Sequence, residues 1–223
     1  MTTKRLHDWD VTPKQAIHLQ KQFAGDVVHE DRFDSLRWVA GVDVAYGRRG
    51  GPARAGVVLF DLAELRVVER TSAVLPATFP YVPGLLTFRE APAAIAALDR
   101  LQQRPELLLC DGQGVAHPRR IGFASHLGLF LDLPAIGVGK SRLVGQHDEP
   151  GPSCGDWTPL RDKGEIIGAV LRSRPGCKPI YVSIGHRVSL ATAVDIVLKC
   201  LRGYRLPEPI RAADRLSKGT GSI

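Results

Sequence analysis

The chain has 223 residues, of which 44% are hydrophobic, and this is enough to bury one sizeable core. Its formal net charge of +7 favours a polyanionic partner such as nucleic acid, although many basic proteins bind none. Two classes of protein are excluded, because no segment approaches the ~18 consecutive apolar residues of a membrane span, and the four cysteines form no C-x-x-C pair of a zinc ribbon or redox protein.

The first third of the chain predicts a helix and then an antiparallel meander. Residues 1–10 carry charges of both signs and no apolar segment, so we expect no signal peptide and a cytoplasmic protein. Helical spacing of apolar residues predicts a helix over Pro13–Val28, capped by Thr12, within an N-terminal helical extension of residues 1–34. Three β-rich runs with short links follow. These strands are predicted at Trp38–Tyr46, Ala55–Leu62 and Leu65–Leu75, with a turn at Gly47, Gly50, Gly51 and Pro52.

The middle of the chain alternates helices with short buried strands. A helix is predicted over Leu85–Leu101, and Pro92 requires that this helix either starts near the proline or kinks there. The order strand, helix, strand that follows is typical of parallel pairing through helical crossovers. Its members are a strand at Glu106–Cys110, a helix at Ile121–Leu131 and a strand at Pro134–Val138.

The last third predicts a loop, two strands, a helix and a tail. The segment Asp148–Trp157 is rich in Gly and Pro and is typical of a mobile surface loop. Strands are predicted at Ile166–Arg172 and Pro179–Ile184, then a helix capped by Ser189, running through Cys200 and ended by Gly203, and a basic tail over residues 205–223. Together the elements predict one α/β domain over residues 1–223. Its mixed sheet, an antiparallel meander followed by parallel strands, is flanked by helices.

Asp43 is an unusual residue for its strand. Alternation places it on one face with Gly41 and Ala45, so it is the only charge in an apolar strand and has small neighbours that leave room for another group. A buried carboxylate is unfavourable unless it is paired or binds a metal. The pattern therefore leaves two alternatives open, a salt bridge to an arginine and a metal ligand.

Asp111 follows a short apolar run and precedes two glycines, a histidine and two arginines. If its strand pairs with Trp38–Tyr46, Asp111 and Asp43 converge at the carboxyl end of the sheet, where open α/β sheets place their sites. An Asp beside Gly is equally common in an ordinary turn. Glu90 alone indicates only a solvated residue in the first turn of a helix, and it becomes a candidate third ligand beside the other two carboxylates.

Three carboxylates suit a hard divalent cation such as Mg²⁺, for which Mn²⁺ can substitute, better than they suit zinc. Two such ions about 3.5–4 Å apart can hold the attacking water and the leaving oxygen of a phosphodiester. The pattern thus favours metal-dependent hydrolysis of a nucleic acid.

A series of short motifs, in order from about residue 35 to 215, resembles the endonuclease V family of deoxyinosine 3′-endonucleases. Several motifs in the same order are far more specific than any one of them. They are Gly41-Val42-Asp43-Val44, Pro80-Tyr81-Val82-Pro83-Gly84, Phe88-Arg89-Glu90, Asp111-Gly112-Gln113-Gly114, His117-Pro118-Arg119-Arg120, Gly185-His186-Arg187-Val188-Ser189 and Gly203-Tyr204-Arg205-Leu206-Pro207-Glu208-Pro209.

The resemblance implies a ribonuclease-H-like fold and a Mg²⁺-dependent enzyme of DNA repair. Such an enzyme nicks the second phosphodiester bond 3′ to a deaminated adenine and leaves a 3′-hydroxyl and a 5′-phosphate. It also implies that Asp43, Glu90 and Asp111 bind the metal, that Lys140 lies near the scissile phosphate, and that Asp214 binds the metal or orients the attacking water. Gly137-Val138-Gly139-Lys140 lacks the spacing of a P-loop.

The resemblance further implies a wedge that separates the DNA strands, a base pocket and phosphate contacts. Flanking prolines stiffen the wedge, so an aromatic ring can be held exposed at low entropic cost, although a Tyr packed on a loop is the ordinary alternative. The wedge comprises Pro80, Tyr81, Val82 and Pro83; the pocket Gly84, Leu86, Gly112, Gly114, His117 and Leu143; and the phosphate contacts Arg119, Arg120, His186 and Arg187.

Two alternative functions stay open at this stage. In the first, the same fold acts on inosine in single-stranded RNA. In the second, the protein is a non-catalytic module that marks lesions, which the intact set of Asp43, Glu90 and Asp111 argues against. In each case we expect a monomer.

Overall fold

The computed structural model describes residues 6–47 and 51–220, which form a mixed eight-stranded sheet flanked by helices. The sheet order is β3-β2-β1-β4-β5-β8-β7-β6. The strands are β1 Trp38–Tyr46, β2 Ala53–Asp61, β3 Arg66–Leu75, β4 Leu107–Asp111, β5 Ala135–Gly139, β6 Trp157–Asp162, β7 Glu165–Leu171 and β8 Ile180–His186. The helices are α1 Pro13–Phe23, α2 Leu86–Leu98, α3 Phe123–Leu131, α4 Leu190–Lys199 and α5 Glu208–Ser217. Within the described ranges, none is long and apolar enough for a membrane crossing.

The predicted fold class is confirmed. Strands β1, β2 and β3 form the antiparallel meander, and β1, β4 and β5 are parallel neighbours. The turn predicted at Gly47, Gly50, Gly51 and Pro52 includes residues 48–50, which lie outside the described residues. The parallel strands are short apolar runs buried on both faces, as expected for the centre of an α/β sheet.

The pairing of β1 with β4 places two carboxylates side by side. Val42 lies opposite Cys110 in this parallel register, so the residues that follow them, Asp43 within β1 and Asp111 at the end of β4, lie next to each other. The predicted convergence at the carboxyl end of the two strands is therefore confirmed.

The segment predicted as a basic tail contains helix α5, which packs on the sheet face that carries Asp43. A Cβ at Gly41 would lie 2.0 Å from the carbonyl oxygen of Pro209, and one at Gly56, the partner of Asp43 in β2, would lie 2.6 Å from the carbonyl oxygen of Ala213. Gly41 and Gly56, the small residues near Asp43, thus leave the space that the backbone of α5 occupies. The basic tail predicted over residues 205–223 thus contains a helix that packs on the sheet.

Three predicted helix boundaries need correction. Helix α1 ends at Phe23 rather than Val28 and gives way to a short 3₁₀ turn at Ala24–Asp26, where Gly25 favours the break. Pro92 lies inside α2, so the alternative in which that helix starts near the proline is wrong. Helix α4 is capped by Ser189 as predicted but ends at Lys199, well before Gly203.

Strand β6 at the sheet edge was not predicted. It pairs with β7 through a two-residue turn, Lys163-Gly164, in which both residues have positive φ, +53° and +84°. This is the backbone preferred by tight hairpins, and a Lys-Gly pair is a weak signal for it. Pro159 also argues against a strand, but an edge strand tolerates a proline. The predicted loop therefore ends one residue too late, because Trp157 begins the strand.

A buried histidine, His126, lies against a second histidine, His7. His126 on α3 is fully buried, and its Nε2 lies 2.7 Å from Nε2 of His7. Burial, together with the nearby His7 and His117, lowers the pKa of His126 to about 3. Burial beside Arg119 lowers the pKa of His117 to about 4. Both rings are thus uncharged in the folded protein at pH values where the unfolded chain binds protons.

We expect the free energy of unfolding to fall as the pH drops below 6.5, the ordinary pKa of histidine. The fall continues toward the pKa values of His117 and His126 in the folded protein, about 4 and about 3. The sign follows because only the unfolded chain takes up these protons in that window. The loss, on the order of 1–2 kcal/mol per histidine near pH 5, is measurable by urea unfolding. His126→Gln should flatten the pH dependence. Equal pH dependence in the wild type and His126→Gln would contradict this expectation.

Candidate active site

Three carboxylates from three elements meet at the carboxyl end of the central strands. Asp43 comes from β1, Asp111 from β4 and Asp214 from α5, and one ligand oxygen of each lies within 4.8 Å of those of the other two. Asp43 is buried and accepts a hydrogen bond from the Ser217 hydroxyl of α5. The cluster thus depends on the packing of α5 against β1.

Two lysines neutralise part of this charge. The Lys140 Nζ atom, just beyond β5, lies 2.5 Å from Oδ2 of Asp111 and 3.3 Å from Oδ1 of Asp214. The Lys218 Nζ atom lies 2.8 Å from each oxygen of Asp214. These ammonium groups lower the pKa of Asp214 although burial opposes the shift.

The carboxyl groups of Asp111 and Glu90 resist ionisation without further positive charge. Burial and the charge of Asp43 raise the pKa of Asp111 to about 6, against the opposing effect of Lys140. Burial, with repulsion from Asp43 and Asp111, raises the pKa of Glu90 to about 8, although Glu90 accepts a hydrogen bond from the Tyr46 hydroxyl at 3.3 Å. A cation among these groups would relieve this repulsion.

The donor set fits a hard divalent cation. Its atoms are carboxylate oxygens, without sulfur or imidazole, and such ligands suit Mg²⁺ or Mn²⁺. The close group is Asp43, Asp111 and Asp214, whereas the predicted metal ligands are Asp43, Glu90 and Asp111. The role of Glu90 as a ligand stays a prediction. Glu90 acts on the group electrostatically and lines the adjoining cavity.

A cavity of about 340 Å³ opens beside the carboxylates. It brings together the wedge, most of the predicted base pocket and three of the predicted catalytic residues. The lining contains Tyr81 and Pro83 of the wedge, Gly84, Leu86, Gly112, His117 and Leu143 of the predicted base pocket, and Glu90, Asp111 and Lys140 of the predicted catalytic residues. The predicted pocket and the acidic cluster are therefore parts of one continuous site.

The wedge loop ends in a tight turn and presents an exposed ring. Leu85 N donates to the Val82 carbonyl at 2.9 Å, and Gly84 has a φ of +77°, so Val82 to Leu85 form a turn with Pro and Gly at its centre. Tyr81 is 70% exposed, which makes it the most exposed large apolar side chain among the described residues. The ordinary alternative, a Tyr packed on its loop, does not fit this exposure.

Three donors hold the Gly84 carbonyl in place. They are Gln20 Nε2 at 3.0 Å, His117 Nε2 at 2.9 Å and an Arg119 guanidinium nitrogen at 2.8 Å. Gln20 is fully buried and also accepts a hydrogen bond from Arg119. Helix α1 thereby anchors the base of the wedge, a role that the sequence did not suggest for Gln20.

The four residues predicted as phosphate contacts each bind a group within the protein. Arg119 is held at Gly84, and Arg120 forms ion pairs with Asp162 at 2.9 Å and Glu165 at 2.8 Å. The remaining two lie near the end of β8. There Arg187 pairs with Asp132 at 2.8 Å, while buried His186 accepts a hydrogen bond from Val28 N at 3.2 Å. Each of the four side chains thus has an internal partner distant in sequence, and their contact with phosphate stays a prediction.

Gly114, predicted in the base pocket, packs closely against β8. A Cβ there would lie 1.9 Å from the Ile184 carbonyl oxygen, so this glycine permits close packing of the loop on β8 and does not line the cavity. Its neighbour Gln113 does line the cavity, with Nε2 donating to the Ser141 carbonyl at 3.0 Å. The buried Oε1 of Gln113 has no hydrogen-bond partner among the described residues. The position of Gln113 between the two glycines was its only sequence signal.

The chain is similar to known proteins over nearly its whole length. Residues 21–215 match the family model described as endonuclease V. An endonuclease V of Rippkaea orientalis is 52% identical over 210 residues, which cover 94% of this chain and 92% of the relative. The crystal structure of endonuclease V from Streptomyces avermitilis aligns with a TM-score of 0.89 and 43% identity, covering 95% of this chain and 93% of that one. A third relative is endonuclease V of Ciona intestinalis, whose structure is a complex with DNA containing an inosine followed by a ribo-adenosine. It aligns with a TM-score of 0.82 and 28% identity, covering 94% of this chain and 98% of that one.

Proposed function

This chain belongs to the endonuclease V family, and we propose that it nicks DNA at the second phosphodiester bond 3′ to deoxyinosine. The observation that carries the proposal is the acidic cluster, Asp43, Asp111 and Asp214, at the edge of a cavity overhung by the exposed ring of Tyr81. The Ciona relative bound to inosine-containing DNA supports the same class of substrate.

The reaction is hydrolysis of a phosphodiester. A water oxygen forms a bond to phosphorus, the bond from phosphorus to O3′ breaks, and the products are a 3′-hydroxyl and a 5′-phosphate. Asp43, Asp111 and Asp214 would hold a divalent cation, Mg²⁺ or Mn²⁺, with Glu90 at the rim. When bound, the cation would stabilise the charge that develops on the phosphate oxygens. Lys140 already lies at Asp111 and Asp214, and we place it against the scissile phosphate.

The cavity is the proposed site for a base rotated out of the stack. Its walls combine apolar side chains with backbone, and Gln113 Oε1 offers a buried acceptor without a partner among the described residues. At N1 of the Watson–Crick edge, hypoxanthine carries an N–H donor, whereas adenine has an acceptor at N1 and its donor on the N6 amino group. An unpaired acceptor in the wall therefore suits the deaminated base.

Tyr81→Ala is expected to impair nicking of an inosine duplex by about 5- to 100-fold, because the ring would no longer stack into the gap left by the base. Nicking of the same sequence as a single strand should change by no more than about three-fold, since no pair has to be broken. Single-turnover rates on both substrates test this. Tyr81→Phe, which keeps the ring, is the matched control, and equal losses on duplex and single strand would count against the wedge.

The position of the nick and the chemical groups at its two ends test the proposed reaction. Purified protein with Mg²⁺ should cut one labelled strand of an inosine duplex at the second bond 3′ to the lesion, leaving a 3′-hydroxyl that a polymerase extends and a 5′-phosphate that a ligase joins. A matched duplex with adenine should stay intact. Running inosine-containing RNA in parallel under the same salt tests whether RNA is the better substrate, in view of the ribonucleotide in the Ciona complex. An intact inosine duplex would refute the proposal.

A further inference from the structure

A second groove continues from the catalytic lysine. It has a volume of about 920 Å³ and shares Lys140, Ser141 and Arg142 with the base cavity as a common wall. Its far side is formed by residues ahead of and within β8, among them Lys178 and Tyr181. A ligand that passes the carboxylates can thus enter this groove without leaving the protein surface.

The groove is strongly cationic, and two of its charges are not paired. Arg142 and Lys178 are exposed, and neither makes an ion pair or side-chain hydrogen bond within the described ranges. Glu149 is the only acidic residue in the lining, and it pairs with Arg172. Arg205 is held by backbone carbonyls and adds its charge to the wall. Such a surface suits a chain of phosphates.

An aromatic surface lies among these charges. The rings of His147 and Tyr181 pack edge to face with centroids 5.7 Å apart, and the Tyr181 hydroxyl lies 3.4 Å from His147 Nε2. Tyr181 is only partly buried. Cations that follow a backbone, with a fixed ring between them on which a base can stack, form the usual surface for single-stranded nucleic acid.

We infer that this groove binds the substrate strand on the 3′ side of the cut. The inference rests on the proposed function, which places the lesion in the base cavity and the scissile bond, 3′ to it, at the carboxylates. Lys140 lies at the carboxylates and begins the groove, so nucleotides beyond the scissile bond enter it. Its free cations then contact phosphates that the reaction leaves untouched.

Lys178→Ala tests the inference, because Lys178 lines the groove but not the base cavity. The probe is a labelled inosine oligonucleotide in three forms: with both flanks long, with the 3′ flank ending at the cut, and with the 5′ flank equally shortened. Affinity is measured by fluorescence anisotropy across a salt series. Arg104→Ala removes the same charge from an exposed position ahead of β4, at the opposite end of the sheet from the carboxylates, and serves as the matched control.

We expect Lys178→Ala to weaken binding of the long and the 5′-shortened forms by about three- to ten-fold and to lower the salt slope by about one. On the 3′-shortened form it should bind like the wild type, and Arg104→Ala should match the wild type throughout. A loss that persists on the 3′-shortened form, or no loss on any form, overturns the inference. Because binding is measured without cleavage, a protein that shows this 3′ dependence but cannot nick would refute the proposed reaction and leave the groove assignment standing.

Discussion

Asp111→Asn is expected to reduce nicking of an inosine duplex by at least about 10³-fold while the protein still binds the DNA. Asp111 lies within 4.8 Å of both Asp43 and Asp214, and the amide removes one charged ligand from the group that would hold the cation. Loss of charge stabilisation at the scissile phosphate is worth several kcal/mol, and about 4 kcal/mol corresponds to this factor. Single-turnover nicking with Mg²⁺ and anisotropy on the same duplex measure the two quantities.

Stability separates a chemical role for Asp111 from a structural one. Burial and the charge of Asp43 raise the pKa of Asp111, so its charged form is disfavoured in the folded protein. The neutral amide of nearly the same shape should therefore not lower the free energy of unfolding. Asp195→Asn, at an exposed position on α4, is the matched control and should keep both activity and stability. Retained nicking in Asp111→Asn would remove this residue from the proposed site.

The placement of Asp43 and Asp111 could be predicted because local rules determine it. Alternation assigns Asp43 to one face of β1, and the parallel-strand rule brings the end of β4 beside it. The observed register, with Val42 opposite Cys110, agrees with both rules. Asp214 was different, because nothing local marks a carboxylate in a basic segment as a member of the site. Only the resemblance indicated it, and the packing of α5 explains it.

The partners of charged residues in loops could not be predicted from the sequence. The arginines of His117-Pro118-Arg119-Arg120 read as free cations because the sequence displays the charge but not its partner. The partners of Arg120 lie 42 and 45 residues away on the β6–β7 hairpin, which was itself only half predicted. Arg119 meets Gln20, 99 residues away. Cations left free for phosphate, such as Lys178, become visible only after these pairs are assigned.

Gly41 allows helix α5, which carries Asp214, to pack against β1. It lies on β1 two residues before Asp43, and the Pro209 backbone of α5 occupies the space that a side chain would need. A Cβ would approach the Pro209 carbonyl oxygen to 2.0 Å and its carbon to 2.3 Å. Both are backbone atoms, so no rotamer change can relieve the clash. Helix α5 would have to move away from β1, and it would carry Asp214 away from Asp43 and Asp111.

Gly41→Ala is therefore expected to lower the free energy of unfolding by about 2–4 kcal/mol and to reduce nicking by at least about 100-fold. Urea unfolding and single-turnover assays, made well below the unfolding midpoint, separate the two effects. Gly25→Ala is the matched control, because a Cβ there meets nothing within 4 Å and should leave activity unchanged. A folded Gly41→Ala protein with reduced nicking would show that the position of α5, and not merely the presence of three carboxylates, sets the activity. Wild-type stability and nicking together would mean that α5 does not pack on Gly41 as described.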